Sequence, residues 1–236
     1  MNLAHPRTYA AGSDPGLVQK VLVLAPHPDD ETLGCGGSIK WLTAAGGQVD
    51  VAFLTRGEKG IRPGTIATSD EQAELAIRRS VEARRACQIL GVRNAFFLEG
   101  QDGRLHVQPT LAADILRLLN EHAYQSVFCP HESEGHPDHR ATFQLLRTAL
   151  SAHAGELTIW RYEVWTPLLP TMLIPIDGTI DAKREAISVH ASQMACYDYL
   201  SAFVGLAQYR AIGCAPAHYA EAFAIVDKHT LLAGLS

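Results

Sequence analysis

The feature that most limits how this chain can fold is Val21-Leu22-Val23-Leu24, four aliphatic residues with no polar interruption. Alternating apolar and polar residues mark a strand wetted on one face. A continuous apolar run marks a strand buried on both faces, as in a parallel sheet covered by helices. The rest of the sequence repeats that theme. Strands are predicted over 20–25, 49–55, 95–98, 126–130, 157–164 and 222–226. Helices are predicted over 36–45, 69–90, 111–122, 140–152, 180–194 and 199–212. Ser69 or Asp70 is expected to cap the second helix and Gly91 to end it. Such alternation predicts an α/β fold, a mostly parallel sheet with helices on both faces. Residues 1–19 read as an irregular lead-in and 56–68 as a glycine-rich loop. The whole of 1–236 is expected to form one domain, with 165–236 as a C-terminal elaboration of it.

Composition narrows the functional classes. Hydrophobic residues make up 47% and charged ones 19%, enough for a sizeable core. A formal charge of −5 argues against nucleic acid as a partner. No basic segment leads into an apolar run at the N-terminus, so no signal peptide is expected. No stretch approaches the roughly 18 apolar residues of a membrane span. The five cysteines are scattered, odd in number and free of any Cys-x-x-Cys pair, which predicts reduced thiols and a cytoplasmic protein.

The chemistry is concentrated in two clusters. The first strand ends in His27-Pro28-Asp29-Asp30-Glu31, and that density of ionisable groups is unfavourable unless a cation sits among them. His136-Pro137-Asp138-His139 follows the strand predicted over 126–130. In parallel sheets ligands bind beyond the carboxyl ends of the strands. Both clusters are therefore expected on one edge, meeting if their strands are adjacent. A lone His-Pro-Asp before a helix serves as a turn with an Asp cap, and residues 29–32 can cap the helix after them. Two such triplets at strand ends exceed what capping needs. Two imidazoles and a carboxylate without thiolate suit a divalent first-row metal, zinc above others. Three protein ligands leave a position for water, the layout of a catalytic site. A second carboxylate can take a proton from that water, whose pKa the metal lowers towards roughly 7. The remaining histidine can protonate a leaving group or stabilise an oxyanion. Gly34, Gly36 and Gly37 do not complete a dinucleotide fingerprint, since position 39 is Ile39. They are expected to let the first helix pack closely on the sheet.

These residues resemble the PIG-L/LmbE-like family of zinc-dependent deacetylases, which remove acetyl from N-acetylglucosamine-type substrates. The family's Ala-His-Pro-Asp-Asp-Glu stands here with Pro26 inserted between Ala25 and His27. Leu54-Thr55-Arg56-Gly57-Glu58, the helix from Arg79 to Val92, Asp102-Gly103 and His136-Pro137-Asp138-His139 also match. So do Lys183, Ala186, His190, Ser192 and Gln193, Tyr162 to Pro167, and Ala220-Glu221-Ala222-Phe223. The fold this implies is a three-layer α/β/α, Rossmann-like sandwich. The resemblance further implies that His27, Asp30 and His139 hold one Zn2+ per chain, or another divalent first-row metal. Asp29 would be the general base, His136 the general acid and oxyanion stabiliser, and Asp138 the group that orients an imidazole. Arg79, Asp102 and His190 would serve substrate binding. Spacing alone leaves open which of Asp29 and Asp30 is base and which is ligand; the family pattern makes that division.

The implied partner is a small-molecule N-acetylated amino sugar or glycoconjugate; a homo-oligomer is compatible with the sequence. Three other functions are consistent with the same residues: an amidase of a thiol-sugar conjugate, a metal-dependent phosphoesterase and a non-catalytic zinc module. His131 and Glu132 are candidates for the pocket rim, and Glu134 has no assigned role. Trp160, Trp165, Tyr197, Tyr199 and Tyr209 are candidates for a sugar-stacking wall, with core packing as the plainer expectation for most. His5, His106, His122, His153, His218 and His229 carry no motif.

Overall fold

The computed structural model describes residues 7–8, 20–61 and 64–234. Apart from strand residues Arg7–Thr8, the expected lead-in over 1–19, His5 included, lies outside the described residues, as does Pro63. Among the described residues one sheet holds β1 (Arg7–Thr8), β2 (Lys20–Ala25), β3 (Gln48–Thr55), β4 (Asn94–Gly100), β5 (Ser126–Pro130), β6 (Thr158–Tyr162), β7 (Met172–Pro175) and β8 (Ala220–Asp227). The order is β1-β7-β8-β6-β5-β2-β3-β4. Only the two pairings made by β8 are antiparallel. The helices are α1 (Asp30–Ala44), α2 (Ser69–Leu90), α3 (Leu111–His122), α4 (Pro137–Ala152), α5 (Ile180–Ser188), α6 (Ala191–Met194), α7 (Tyr199–Ala211) and α8 (Lys228–Leu232).

The strand β2 shows why the aliphatic run is continuous. Val21 and Val23 pack with Leu33 and Ile39 of α1, Ala83 of α2 and Ala186 of α5. Leu22 and Leu24 face the other way, into Ile115 of α3 and Leu146 of α4. Successive side chains point to opposite faces, so a strand between two helical layers needs apolar residues at every position. Each fully buried Leu or Val contributes about 1.5–3 kcal/mol relative to exposure. The result is the expected three-layer α/β/α sandwich. The close approach expected of the glycines is present: a Cβ added at Gly34 would lie 2.4 Å from the Tyr162 ring.

Several boundaries differ from the sequence reading, for local reasons. The first helix starts at Asp30, not near 36, and α4 starts at Pro137, not near 140. Asp30 and Glu31, and Pro137 and Asp138, thus lie in first helical turns, where acidic residues face unpaired N–H groups and Pro needs no donor. The cap of α2 is Thr68, not Ser69 or Asp70, and Glu71 completes a capping box with it. The helix expected over 180–194 is two helices, because His190 has ψ of 54° and caps α6. Both β7 and α8 are absent from the elements predicted from sequence; β7 lies in the 165–236 elaboration and ends at Pro175.

Asp50 of β3 is buried and accepts hydrogen bonds from Arg93 Nε at 2.9 Å, Asn94 Nδ2 at 3.0 Å and Tyr124 Oη at 2.7 Å. Burial alone would raise its pKa, but the Arg93 guanidinium and the Tyr124 hydroxyl outweigh it and hold the carboxyl below its ordinary value. A depressed folded-state pKa contributes stability above the unfolded value, and that stability is lost as pH falls through the folded value. Asp50→Asn is expected to cost about 1.5–3 kcal/mol at neutral pH. In urea melts, the gap between the two proteins should close as pH drops towards about 3. A gap independent of pH would show that the carboxylate charge is not what stabilises β3.

Candidate active site

The first two charged motifs meet because of strand order. β2 and β5 are parallel neighbours, Val21 opposite Ser126 and Val23 opposite Phe128. The chain runs outward from β2 to β3 and β4, then returns to place β5 on the other side of β2. The crevice beyond their carboxyl ends is therefore the switch point of the sheet. The His27 ring lies 4.8 Å from that of His136 and 5.5 Å from that of His139.

Asp30 stands between two imidazoles. Its Oδ2 is 3.1 Å from His27 Nδ1 and 3.2 Å from His139 Nε2, and it accepts the His27 backbone N–H at 2.9 Å. The other His27 nitrogen, Nε2, is 3.3 Å from both Asp102 Oδ1 and Asp138 Oδ2. Burial would lower the His27 pKa, but Asp102, Asp138 and Asp30 outweigh it and hold it well above the ordinary value. Burial would raise the Asp30 pKa, and His139 and His27 hold it well below. Asp138 is fixed in turn by backbone N–H groups of Gly103 at 2.6 Å and Leu105 at 3.2 Å. Its own N–H donates to His136 Nδ1 at 3.2 Å, which leaves the proton of a neutral His136 ring on Nε2. Burial and the neighbouring His27 and His139 lower the His136 pKa. Glu31 is buried too, and desolvation pushes its carboxyl to about 8, so it is protonated at neutral pH. The apparent crowding of three acids in sequence is thereby reduced to two charges.

Asp29 has φ of 152° and ψ of −26°, a backbone conformation that non-glycine residues rarely adopt. Strain of this kind, on the order of 1–3 kcal/mol, is concentrated at functional sites. Arg79 Nη2 lies 3.1 Å from Asp29 Oδ1. Burial raises the Asp29 carboxyl to about 6 against the pull of that guanidinium. Arg79 is 3% exposed and also donates to the Gly57 carbonyl at 3.0 Å and the Pro28 carbonyl at 3.1 Å. A Cβ at Gly57 would lie 2.3 Å from its Nη1, so the loop approaches this closely only because position 57 is glycine.

A cavity of about 150 Å³ opens at this point, bordered by His27, Asp29, Asp30, Arg79, Asp102 and His136 among the residues singled out from sequence. Asp138 and His139 lie buried behind it. His190 is buried away from the cavity wall with neither ring nitrogen hydrogen-bonded; burial and then Arg79 push its pKa to about 3, leaving a neutral ring. The guanidinium of Arg79 reaches the cavity but is engaged by protein partners. Lys59, Gly60, Gln193, Trp165 and Tyr199 complete the wall. Lys59 is adjacent to the Gly57-Glu58 element, a signal the sequence did contain: its N–H donates to Asp102 Oδ2 at 2.9 Å. His131 and Glu132 are turned elsewhere, to the Thr166 carbonyl at 2.7 Å and to Arg161 at 2.8 Å. Trp160 packs in the core, whereas Tyr197 and Tyr209 are exposed.

Glu134 is 1% exposed. Its carboxylate accepts the backbone N–H groups of Val164 at 2.6 Å, Trp165 at 3.0 Å and Thr166 at 3.4 Å, and it lies 3.6 Å from His139 Nδ1. Sequence spacing carries no hint of this role, since the three amides lie on another strand's exit.

The residues fit a divalent cation. Among the described residues, His27, His136 and His139 offer ligand atoms within 4.8 Å of one another, as do His27, Asp102 and Asp138. His139 is fully buried, and its ring nitrogens face carboxylates, Asp30 at Nε2 and Glu134 at Nδ1, without forming well-aligned hydrogen bonds to them. Zinc ligands at 2.0–2.1 Å in a tetrahedral array lie about 3.3 Å apart. The separations of 3.1 and 3.2 Å from Asp30 to His27 and His139 are close to that. The free cysteines stand outside both groups.

Comparison with known proteins agrees with this geometry. A profile of the PIG-L family, described as GlcNAc-PI de-N-acetylase, matches residues 22–150. The diacetylchitobiose deacetylase of Thermococcus kodakarensis is 31% identical over 192 residues, covering 75% of this chain and 70% of that protein. A probable N-acetyl-alpha-D-glucosaminyl L-malate deacetylase of Bacillus cereus is 29% identical over 185 residues, covering 73% of this chain and 83% of its own length. The structure of N,N'-diacetylchitobiose deacetylase from Pyrococcus horikoshii, in complex with an inhibitor, superimposes with a TM-score of 0.79 at 25% identity, covering 91% of this chain and 86% of that one. The family match takes in both strands that flank the crevice and both motifs that meet in it; the chain belongs to the PIG-L family of de-N-acetylases.

Proposed function

We propose that this chain is a zinc-dependent N-deacetylase that hydrolyses the acetamide of an N-acetylglucosamine-type sugar, and that it works as one domain whose segment after residue 165 completes the sheet. The observation that carries the reading is one carboxylate oxygen of Asp30 poised between two imidazoles, with a second, strained carboxylate and a third imidazole on the same cavity. The named activities of the relatives share removal of acetyl from an N-acetylglucosamine unit.

His27 Nδ1, Asp30 Oδ2 and His139 Nε2 would hold the ion. His136 is less suited, because its Nδ1 already accepts the Asp138 N–H. With Nδ1 on the metal side, His27 Nε2–H donates to Asp138 and Asp102, the outer-shell carboxylates that fix such a ring. When bound, zinc supplies Lewis acidity, lowering the pKa of water and polarising a carbonyl. Asp29 faces the cavity with a pKa raised to about 6, suited to taking a proton from attacking water at neutral pH. Arg79 holds that carboxylate at one angle. His136 presents Nε2–H to the acetamide oxygen as negative charge develops; as that ring gives its proton to the departing amine, the proton that Asp29 took from water replaces it, so the ring ends neutral and Asp29 ends as the carboxylate.

The rival readings fit less well. A structural zinc site needs four protein ligands, and this set opens on a cavity. A two-metal phosphoesterase needs a second independent site, but the second group shares His27, and its carboxylates are bonded to Gly103, Leu105 and Lys59. The deciding experiment strips metal with a chelator and reloads one equivalent of zinc. The reloaded protein should release acetate from N,N'-diacetylchitobiose, and the stripped protein should release none. Loaded protein that releases no acetate from this sugar or from inositol and malate glycosides of N-acetylglucosamine would refute the reading.

A further inference from the structure

The cavity wall is polar except at two positions. Histidine, aspartate, lysine, arginine and glutamine side chains surround it, and besides the two imidazoles its rings are those of Trp165 and Tyr199. The two differ in depth: Tyr199 is 8% exposed, whereas Trp165 is 46% exposed at the mouth. Among the described residues other large apolar side chains are more exposed, those of Leu169 and Ile212 included, but Trp165 is the one that borders this cavity, where its indole offers a broad apolar face with one polar edge.

This indole is held firmly. The Glu134 carboxylate fixes the three successive N–H groups of Val164, Trp165 and Thr166. The ring meets Tyr199 at 5.7 Å and 64° and Phe203 at 6.3 Å and 74°, both edge-on. A Cβ at Gly135 would come within 3.1 Å of Thr166 Oγ1, so the loop before His136 packs closely on the segment that carries the indole. A platform fixed before binding loses little freedom on contact.

We propose that Trp165 forms a stacking subsite for a second pyranose ring, the one joined by a glycosidic bond to the N-acetylated sugar. The proposal rests on the deacetylase reading and deepens it, naming the substrate as at least a disaccharide. A pyranose has a hydroxyl rim and an apolar C–H face. The scissile acetamide must reach Asp29 and His136 inside the cavity. The half-exposed indole at the mouth therefore meets the next ring outward, C–H face against the indole face.

The test compares N-acetylglucosamine with N,N'-diacetylchitobiose in the zinc-loaded protein, Trp165→Ala, Trp165→Phe and Tyr209→Ala. Tyr209 is exposed and borders a different hollow, with Pro170 and Ile212. Trp165→Ala should lower the disaccharide-to-monosaccharide ratio of kcat/KM at least tenfold, mainly through KM. Trp165→Phe should restore most of that ratio, and Tyr209→Ala should not change it. Titration with diacetylchitobiose should shift indole fluorescence in the parent protein but not in Trp165→Phe. An unchanged ratio in Trp165→Ala, or an equal loss on both sugars, overturns the subsite while leaving the deacetylase reading intact. A protein that shows the Trp165-dependent fluorescence shift but releases no acetate refutes the deacetylase reading and retains the subsite. Absence of both signals overturns both.

Discussion

Asp29→Asn is expected to lower kcat by about 10²–10⁴-fold while the protein keeps one zinc per chain. The carboxamide matches the carboxylate in size and can still accept a hydrogen bond from Arg79, so the contact at 3.1 Å survives in kind. What it cannot do is take a proton. Asp29 lies outside the proposed ligand set, and the imidazoles of His27 and His139 approach Asp30, not Asp29, within hydrogen-bonding distance. Metal content and turnover should therefore separate in this variant, whereas His139→Ala should lose both. Acetate release measured beside metal analysis decides the matter. An Asp29→Asn protein with full turnover would mean that another group is the base.

Lys183→Met is expected to destabilise the fold by about 3–5 kcal/mol, the largest stability effect anticipated here. The reason lies in α1. At Cys35 the helix is interrupted, with φ of −144°. In a continuous helix the Gly37 N–H would donate to the Leu33 carbonyl. Here Glu221 accepts the Gly37 N–H at 2.9 Å and the Ser38 N–H at 2.7 Å, while Lys183 Nζ donates to the Leu33 carbonyl at 2.8 Å. The two side chains are 2.5 Å apart and both are buried. An ion pair from α5 and β8 thus replaces one broken turn of helix hydrogen bonding. Removing the cation leaves a buried, unpaired carboxylate. Lys183→Met with Glu221→Gln should recover part of the loss, because the stranded charge is gone. Urea unfolding of the two variants measures this; a Lys183→Met midpoint equal to the parent's would show that the pair contributes nothing net.

The interruption also explains part of what sequence reading missed. Glycine-rich, acidic residues at 29–37 read as a turn followed by a helix from 36, because propensity and charge disfavour helix there. Tertiary partners hold those residues helical from Asp30, and desolvation keeps Glu31 neutral. Lys183 and Glu221 were visible as members of matching motifs, but 38 residues separate them and nothing local joins them. Glu134 is a similar case. Its carboxylate serves amides at 164–166 and abuts His139, and only the parallel pairing of β5 with β6 puts those groups side by side. The rim position of Trp165 follows from that contact, so sequence could name the residue as a candidate without distinguishing it from the buried Trp160.

By itself the sequence determined the layer architecture and the edge on which chemistry occurs. The continuous aliphatic run at 21–24 and the short apolar run at 127–129 require burial on both faces, and each leads into ionisable residues that only a strand's carboxyl end can expose to a shared crevice. Apolar patterning acts over a few residues, so it is legible from the chain alone, whereas the cap of α2, Thr68, lies one residue or more before its expected place. The tertiary structure decided which nitrogen of His27 faces which carboxylate, that Asp29 is the strained one, and that Arg79 is a brace for it. Those outcomes depend on hydrogen-bond geometry at separations of about 3 Å. Distances of that kind are fixed by strand order and packing across the whole molecule.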